Sequence, residues 1–136
     1  MGSGRPKRVG GRLPAQDSGK RTIRMAVVGF GTVGSGTAKA LIEHEPEVER
    51  RLGCRLELKT ICDVLAKDVS WFGRPVEIVR DWRRVVQDPE IDIVVELIGG
   101  ITTARQVAFA ALDARKHLVT ANKQLVAEHG VELVER

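Results

Sequence analysis

The run Val27-Val28-Gly29-Phe30-Gly31-Thr32-Val33-Gly34 limits what this chain can fold into more than any other stretch. It is a G-x-G-x-x-G pattern between two periodic segments. The apolar Ile23-Arg24-Met25-Ala26-Val27-Val28 precedes it. The helix-like Ser35-Gly36-Thr37-Ala38-Lys39-Ala40-Leu41-Ile42-Glu43 follows. A strand, a tight glycine turn and a helix start predict a seat for the diphosphate of a dinucleotide. Gly29 takes torsions closed to a side chain. Gly31 lets the backbone approach a pyrophosphate, and Gly34 lets the helix pack closely on the strand. Unpaired amides and the positive end of the helix dipole then face the phosphates. Without a ligand, the same run is simply a glycine-rich turn.

The formal charge of +4 over 136 residues suggests a polyanion partner until it is located. Residues 1–22 hold Arg5, Lys7, Arg8, Arg12, Lys20 and Arg21 against Asp17 alone, so the remainder is slightly acidic. This basic tail, rich in Gly, Ser, Arg and Lys, is expected to be disordered and without a specific role. Residues 23–136 suffice for one domain with a real core. Their near-neutral balance argues against a nucleic-acid groove. No apolar run approaches the roughly 18 residues of a membrane helix. The basic N-terminus lacks the apolar stretch of a secretory signal. Cys54 and Cys62 have neither metal nor redox spacing and read as cytosolic thiols. A cytoplasmic protein away from membranes is therefore expected.

The spacing predicts strands at about 23–29, 55–62, 76–79, 91–98 and 117–120. Helices are expected at 33–44, with Pro46 breaking or restarting the segment and Gly53 stopping it. Others are expected at 81–86 behind Asp81, at 104–114 behind Thr102 or Thr103, and at 123–128 behind Asn122. Gly130 is expected to interrupt the last one before a further helical piece. Residues 64–75 read as a connection punctuated by Gly73 and Pro75. The run at 91–98 is nearly continuous in β-branched residues, as suits a strand covered on both faces. Strands alternating with helices imply an α/β fold, a Rossmann-type doubly wound parallel sheet in three layers.

In such a sheet, ligands sit beyond the carboxyl ends of the strands, near the point where strand order reverses. The loops at 29–34, 62–63, 97–100 and 120–123 all follow strand ends and are expected to face one cleft. Asp63 lies further past Gly34 than the usual spacing of about 20 residues, a gap explained by the Pro46–Gly53 insertion. Its carboxylate either accepts ribose hydroxyls, disfavouring a 2′-phosphate, or caps its own turn. Lys67 and Arg74 are nearby cations for a phosphate, so NAD and NADP both stay open. Lys123 starts a helix, where a cation is poorly placed electrostatically. That favours a role beside a ligand over a merely solvated lysine. Glu96, inside an apolar strand, is expected to be satisfied at the sheet end. His44, His117 and His129 lack convergent ligands and read as surface or packing groups, so no metal is expected.

Three stretches resemble homoserine dehydrogenases. They are Val27-Val28-Gly29-Phe30-Gly31-Thr32-Val33-Gly34-Ser35-Gly36, the run from Asp88 to Gly100 ending in Val95-Glu96-Leu97-Ile98-Gly99-Gly100, and Lys116-His117-Leu118-Val119-Thr120-Ala121-Asn122-Lys123. The resemblance runs in order over about 23–136. It implies an NAD(P)-dependent oxidoreductase that interconverts L-aspartate 4-semialdehyde and L-homoserine, on the path to threonine and methionine. It maps the phosphate-holding loop onto Phe30, Gly31, Thr32, Val33 and Gly34. It maps the nicotinamide-ribose segment onto Ile98 and Gly99, and the nicotinamide and substrate entrance onto Lys123. Many members carry an arginine just before the acidic residue after the second strand. Cys62 stands there, which weighs against NADP. The family's substrate-binding, dimerising and catalytic region comes later, so no catalytic residue is expected before Arg136. A homo-oligomer is implied for the full-length enzyme. Hydride transfer requires both reactants to be oriented and a proton for the developing alkoxide. This chain is expected to bind and aim the cofactor, with little turnover alone. Competing readings are a fragment of another dehydrogenase or reductase, a non-catalytic dinucleotide module, and a salt-sensitive nucleic-acid binder acting through residues 1–22.

Overall fold

The structure, a computed structural model, describes residues 21–65 and 69–136. Apart from Arg21 and Thr22, the basic tail lies outside the described residues, as does Lys67. Strands β1 (Thr22–Val28), β2 (Arg55–Cys62), β3 (Glu77–Val79), β4 (Ile93–Glu96) and β5 (His117–Thr120) form one sheet. Its order is β3-β2-β1-β4-β5, with every pair parallel. The helices are α1 (Thr32–Glu43), α2 (Glu45–Leu52), α3 (Arg83–Gln87), α4 (Thr102–Asp113) and α5 (Lys123–Val134). The chain builds outward from β1 to β3, then returns to the other side of β1 for β4 and β5. This is the doubly wound arrangement, and it opens a crevice between the ends of β1 and β4. Among the described residues no helix is long and apolar enough to cross a membrane.

Alternation along β1 divides the core into two layers around the sheet. Ala26 and Val28 face a cluster with Val85 of α3 and Val107 and Ala111 of α4. Val27 faces the opposite cluster, with Ala38 of α1 and Phe72. Helices therefore cover both faces, giving three layers. In β2 the alternation slips. Met25 pairs with Leu58 but Ala26 pairs with Thr60, leaving Lys59 as an extra residue. Leu58 and Ile61 consequently share one face while Cys62 joins the other.

The ammonium of that extra residue, Lys59, pairs with the Asp88 carboxylate in the segment between α3 and β4. The buried Lys116 ammonium donates to the Asp88 and Ile91 carbonyls at 2.7 Å each. Burial alone would raise the Asp88 pKa. The hydrogen bond from Lys59 and the amide of Glu90 pull it down and win, so it lies below 3.8. A carboxylate that titrates lower when folded contributes stability above its unfolded pKa and loses it as pH falls through the folded value. Asp88→Asn is therefore expected to cost about 1 kcal/mol near neutrality. The deficit should shrink towards zero as the pH drops below 3.8. Urea unfolding of both chains across that range checks it, and an undiminished deficit in acid would refute the ion-pair account.

Several boundaries differ from expectation for identifiable reasons. Gly53, at φ 71°, stops α2 as foreseen, and Pro46 restarts the helix in its first turn. Asp81 lies just outside α3, and its carboxylate accepts the Arg83 amide at 3.0 Å. Neither Thr102 nor Thr103 caps α4, which starts at Thr102 behind Ile101 with no side-chain cap. β4 is shorter than 91–98 because only Ile93–Glu96 pairs with both neighbours. Asn122 caps α5 through Leu125 at 2.9 Å. Gly130 does not interrupt that helix. Leu125 and Leu133 pack with Ala104 and Ala108, which outweighs the roughly 1 kcal/mol cost of a helical glycine.

Candidate functional site

The glycine turn is held by contacts on two sides. Gly29 has φ +99°, and a Cβ there would lie 2.8 Å from the Leu97 carbonyl. Its amide donates to the Cys62 carbonyl at 2.8 Å, and the Leu97 amide donates to Val28 at 2.8 Å. These bonds join the ends of β2, β1 and β4. Gly34 is buried, and a Cβ there would lie 2.0 Å from the Gly29 oxygen. Gly31 is different: a Cβ built on it meets no protein atom within 4 Å. Gly29 and Gly34 thus permit close packing, whereas Gly31 borders open space.

That space belongs to a cavity of about 340 Å³ between the ends of β1, β2 and β4, a size suited to a small ligand. The first three loops foreseen on the rim supply Gly29, Phe30, Gly31, Asp63, Ile98 and Gly99 to its wall. The Phe30 ring turns away into the core, edge-on to Phe72 at 6.2 Å, so this residue offers the cavity mainly backbone. The first turn of α1 has no side-chain cap and no acidic residue. Its leading amides therefore stand without a side-chain cap at the positive end of the helix dipole, an arrangement that suits an anion. A bare Gly31 beside those amides fits a diphosphate. Thr32 and Val33 lie on the exposed first turn with Gly34 buried beneath, and none of the three lines the cavity.

Asp63 takes the turn-capping position. One carboxylate oxygen accepts the Phe30 amide and the other the Leu65 amide, both at 2.8 Å. The Phe30 amide is thereby engaged by protein. An ionised carboxylate offers about four acceptor sites, so Asp63 retains capacity towards a ribose. Cys62, behind it, is a neutral wall group. Burial, reinforced by Asp81 and Asp63, pushes its thiol up to about 11.

The fourth loop reaches the rim but not the cavity wall. Glu96 is fully buried. It accepts the Ile98 amide at 2.8 Å and the Thr120 hydroxyl at 2.5 Å. Thr120 in turn accepts the Asn122 amide at 3.0 Å, and the Asn122 side chain donates to Gly100 at 2.5 Å. The expected sheet-end satisfaction of Glu96 is what the structure contains. Lys123 follows Asn122, exposed at the start of α5 and off the cavity wall. His129 packs edge-on to Phe109 at 6.0 Å and meets Glu132 at 2.8 Å. His44 and His117 are exposed. Among the described residues, no group of three His, Cys, Asp or Glu side chains could hold a metal ion.

Arg74, read from the sequence as a cation for a phosphate, instead grips Glu45 at 2.7 and 2.8 Å. The wall contains Arg80 and Trp82, which the sequence reading passed over. The rule that singled out loops after strands also applies to β3, whose last residue is Val79. The shortness of that strand hid the signal.

Residues 29–136 match the family model for the NAD binding domain of homoserine dehydrogenase. The chain is 37% identical over 119 residues to a homoserine dehydrogenase of Bacillus subtilis (strain 168), covering 84% of this chain and 27% of that protein. It is 41% identical over 110 residues to the one from Methylobacillus glycogenes, covering 79% and 26%. A crystal structure of a homoserine dehydrogenase from Thiobacillus denitrificans superposes with a TM-score of 0.78 at 37% identity, over 85% of this chain and 27% of that one. The chain thus spans about a quarter of the length of the relatives it matches.

Proposed function

Because the chain belongs to the homoserine dehydrogenase family and matches its NAD-binding domain, we propose that it is the part of such an enzyme that holds and aims the dinucleotide. NAD or NADP is the cofactor class of that domain. When bound, the cofactor supplies a hydride donor or acceptor. The substrate pair of the whole enzyme is L-homoserine and L-aspartate 4-semialdehyde, in threonine and methionine biosynthesis. A cytoplasmic location and homo-oligomeric assembly of the full enzyme belong to the same proposal. The observation that carries it is the open space at Gly31 beside the uncapped start of α1.

Each part of the wall has a task in this reading. The Gly31 backbone and the first amides of α1, including those of Thr32, Val33 and Gly34, hold the diphosphate by hydrogen bonds and helix dipole. Asp63 fixes the loop through Phe30 and faces the adenosine ribose. Ile98 and Gly99 border the nicotinamide ribose, and Lys123 stands at the substrate side of the rim. The groups that bind the substrate and move its proton are proposed to lie in the greater part of the relatives' length that this chain does not match. Titrating the 136-residue chain with NADH and with NADPH, followed by tryptophan fluorescence, tests the proposal. Saturable quenching by either is expected, because Trp82 lines the cavity. No saturable binding of either would overturn the proposal, and vigorous homoserine oxidation by this chain would overturn its division of labour.

A further inference from the structure

We propose that the adenosine end of the cavity is built for a ribose carrying a 2′-phosphate, and that Arg80 is the side chain that reads it. This rests on the dinucleotide reading above and selects NADP within it.

The argument begins with the arginines around the β3 end. Arg74 is held by Glu45 at 2.7 Å. Arg83 is 3.2 Å from the Asp81 carboxylate, with its guanidinium 4.6 Å above the Trp82 ring. Arg84 lies 3.9 Å from Glu77. Arg80 is exposed, lines the cavity, and has no carboxylate partner among the described residues. Of these arginines it is therefore the one that stands on the cavity wall without an ion pair among the described residues. A planar guanidinium matches a phosphate through two parallel hydrogen bonds.

The acid on the same wall does not cancel it. Asp63 has both oxygens turned onto main-chain amides, from Phe30 and Leu65. Those donors disperse the negative charge that would otherwise repel a phosphate. The remaining wall suits a purine. Trp82 is half-buried, packs against the core behind it, and is braced by Arg83. With the core behind it and Arg83 over its ring, it offers the cavity a rigid apolar boundary beside Arg80 rather than a bare stacking face. Cys62, uncharged, adds no competing anion.

Calorimetry of the 136-residue chain with adenosine 2′,5′-bisphosphate and with adenosine 5′-monophosphate tests this, with weak binding read by competition against NADH or NADPH. The bisphosphate is expected to bind about tenfold tighter than the monophosphate at low salt, the scale of one charge-assisted contact. Arg80→Gln should bring the two to near parity, lowering bisphosphate affinity about tenfold more than monophosphate affinity. Arg80→Lys should keep part of the preference, and Arg74→Gln should keep all of it. Parity in the parent chain, or a preference that survives Arg80→Gln, would overturn the inference while leaving dinucleotide binding intact. Failure of both nucleotides together with NADH and NADPH would overturn the dinucleotide reading as well, so the two failures are distinguishable.

Discussion

Replacing Gly34 with alanine lowers the unfolding free energy by about 3 kcal/mol, the upper range for an overpacked site. The direction is opposite to the usual one, because alanine in a helix interior is favoured over glycine by about 1 kcal/mol. Contact decides the sign. The added methyl would stand 2.0 Å from the Gly29 carbonyl oxygen and 3.0 Å from its carbon, both main-chain atoms that no side-chain rotation can move. The start of α1 would have to lift from β1, loosening the turn that ends β1. Gly36, two residues along the same helix, is the internal comparison. Its methyl would meet nothing within 4 Å, so Gly36→Ala should gain up to about 1 kcal/mol. Urea unfolding of the two variants beside the parent measures both signs. A Gly34→Ala chain as stable as the parent would show that helix and strand do not approach so closely.

Gly31→Val should behave in the reverse manner, leaving the fold and removing the ligand. Gly31 has φ −80°, open to any residue, and its Cβ direction is free of protein atoms. Loss of a tolerated N-cap costs about 1 kcal/mol or less. The valine methyls would occupy the space assigned to the diphosphate. Losing two charge-assisted hydrogen bonds, each worth about 1.5–3 kcal/mol, weakens binding by about a hundredfold or more. NADH titration together with a thermal melt separates the two effects. Unchanged affinity in a folded Gly31→Val chain would remove the diphosphate from this corner.

What could be read before folding was what short-range chemistry decides. The glycine turn, the span of β2, the stop at Gly53 and the Asn122 cap each depend on a few adjacent residues. What could not be read depends on partners distant in the chain. The slip at Lys59 follows from a pairing partner more than thirty residues away in β1. The continuity of α5 through Gly130 follows from packing on α4. Arg74 looked available until Glu45 was beside it. Arg80 and Trp82 became wall residues only when the end of β3 came alongside that of β2. The candidate site was therefore visible as a set of loops, and its adenosine-side wall was not.

The hydrogen bonds linking Ile98, Glu96, Thr120, Asn122 and Gly100 are closed into a ring by the main chain between Ile98 and Gly100. Such a ring behaves as a truss. Swinging the segment after β4 or the one after β5 on its own breaks a bond to a shielded carboxylate, an event disfavoured by a factor of roughly ten or more. The Lys123 backbone is consequently carried by the same rigid frame as Ile98, so the rim after β5 and the wall after β4 keep one fixed separation.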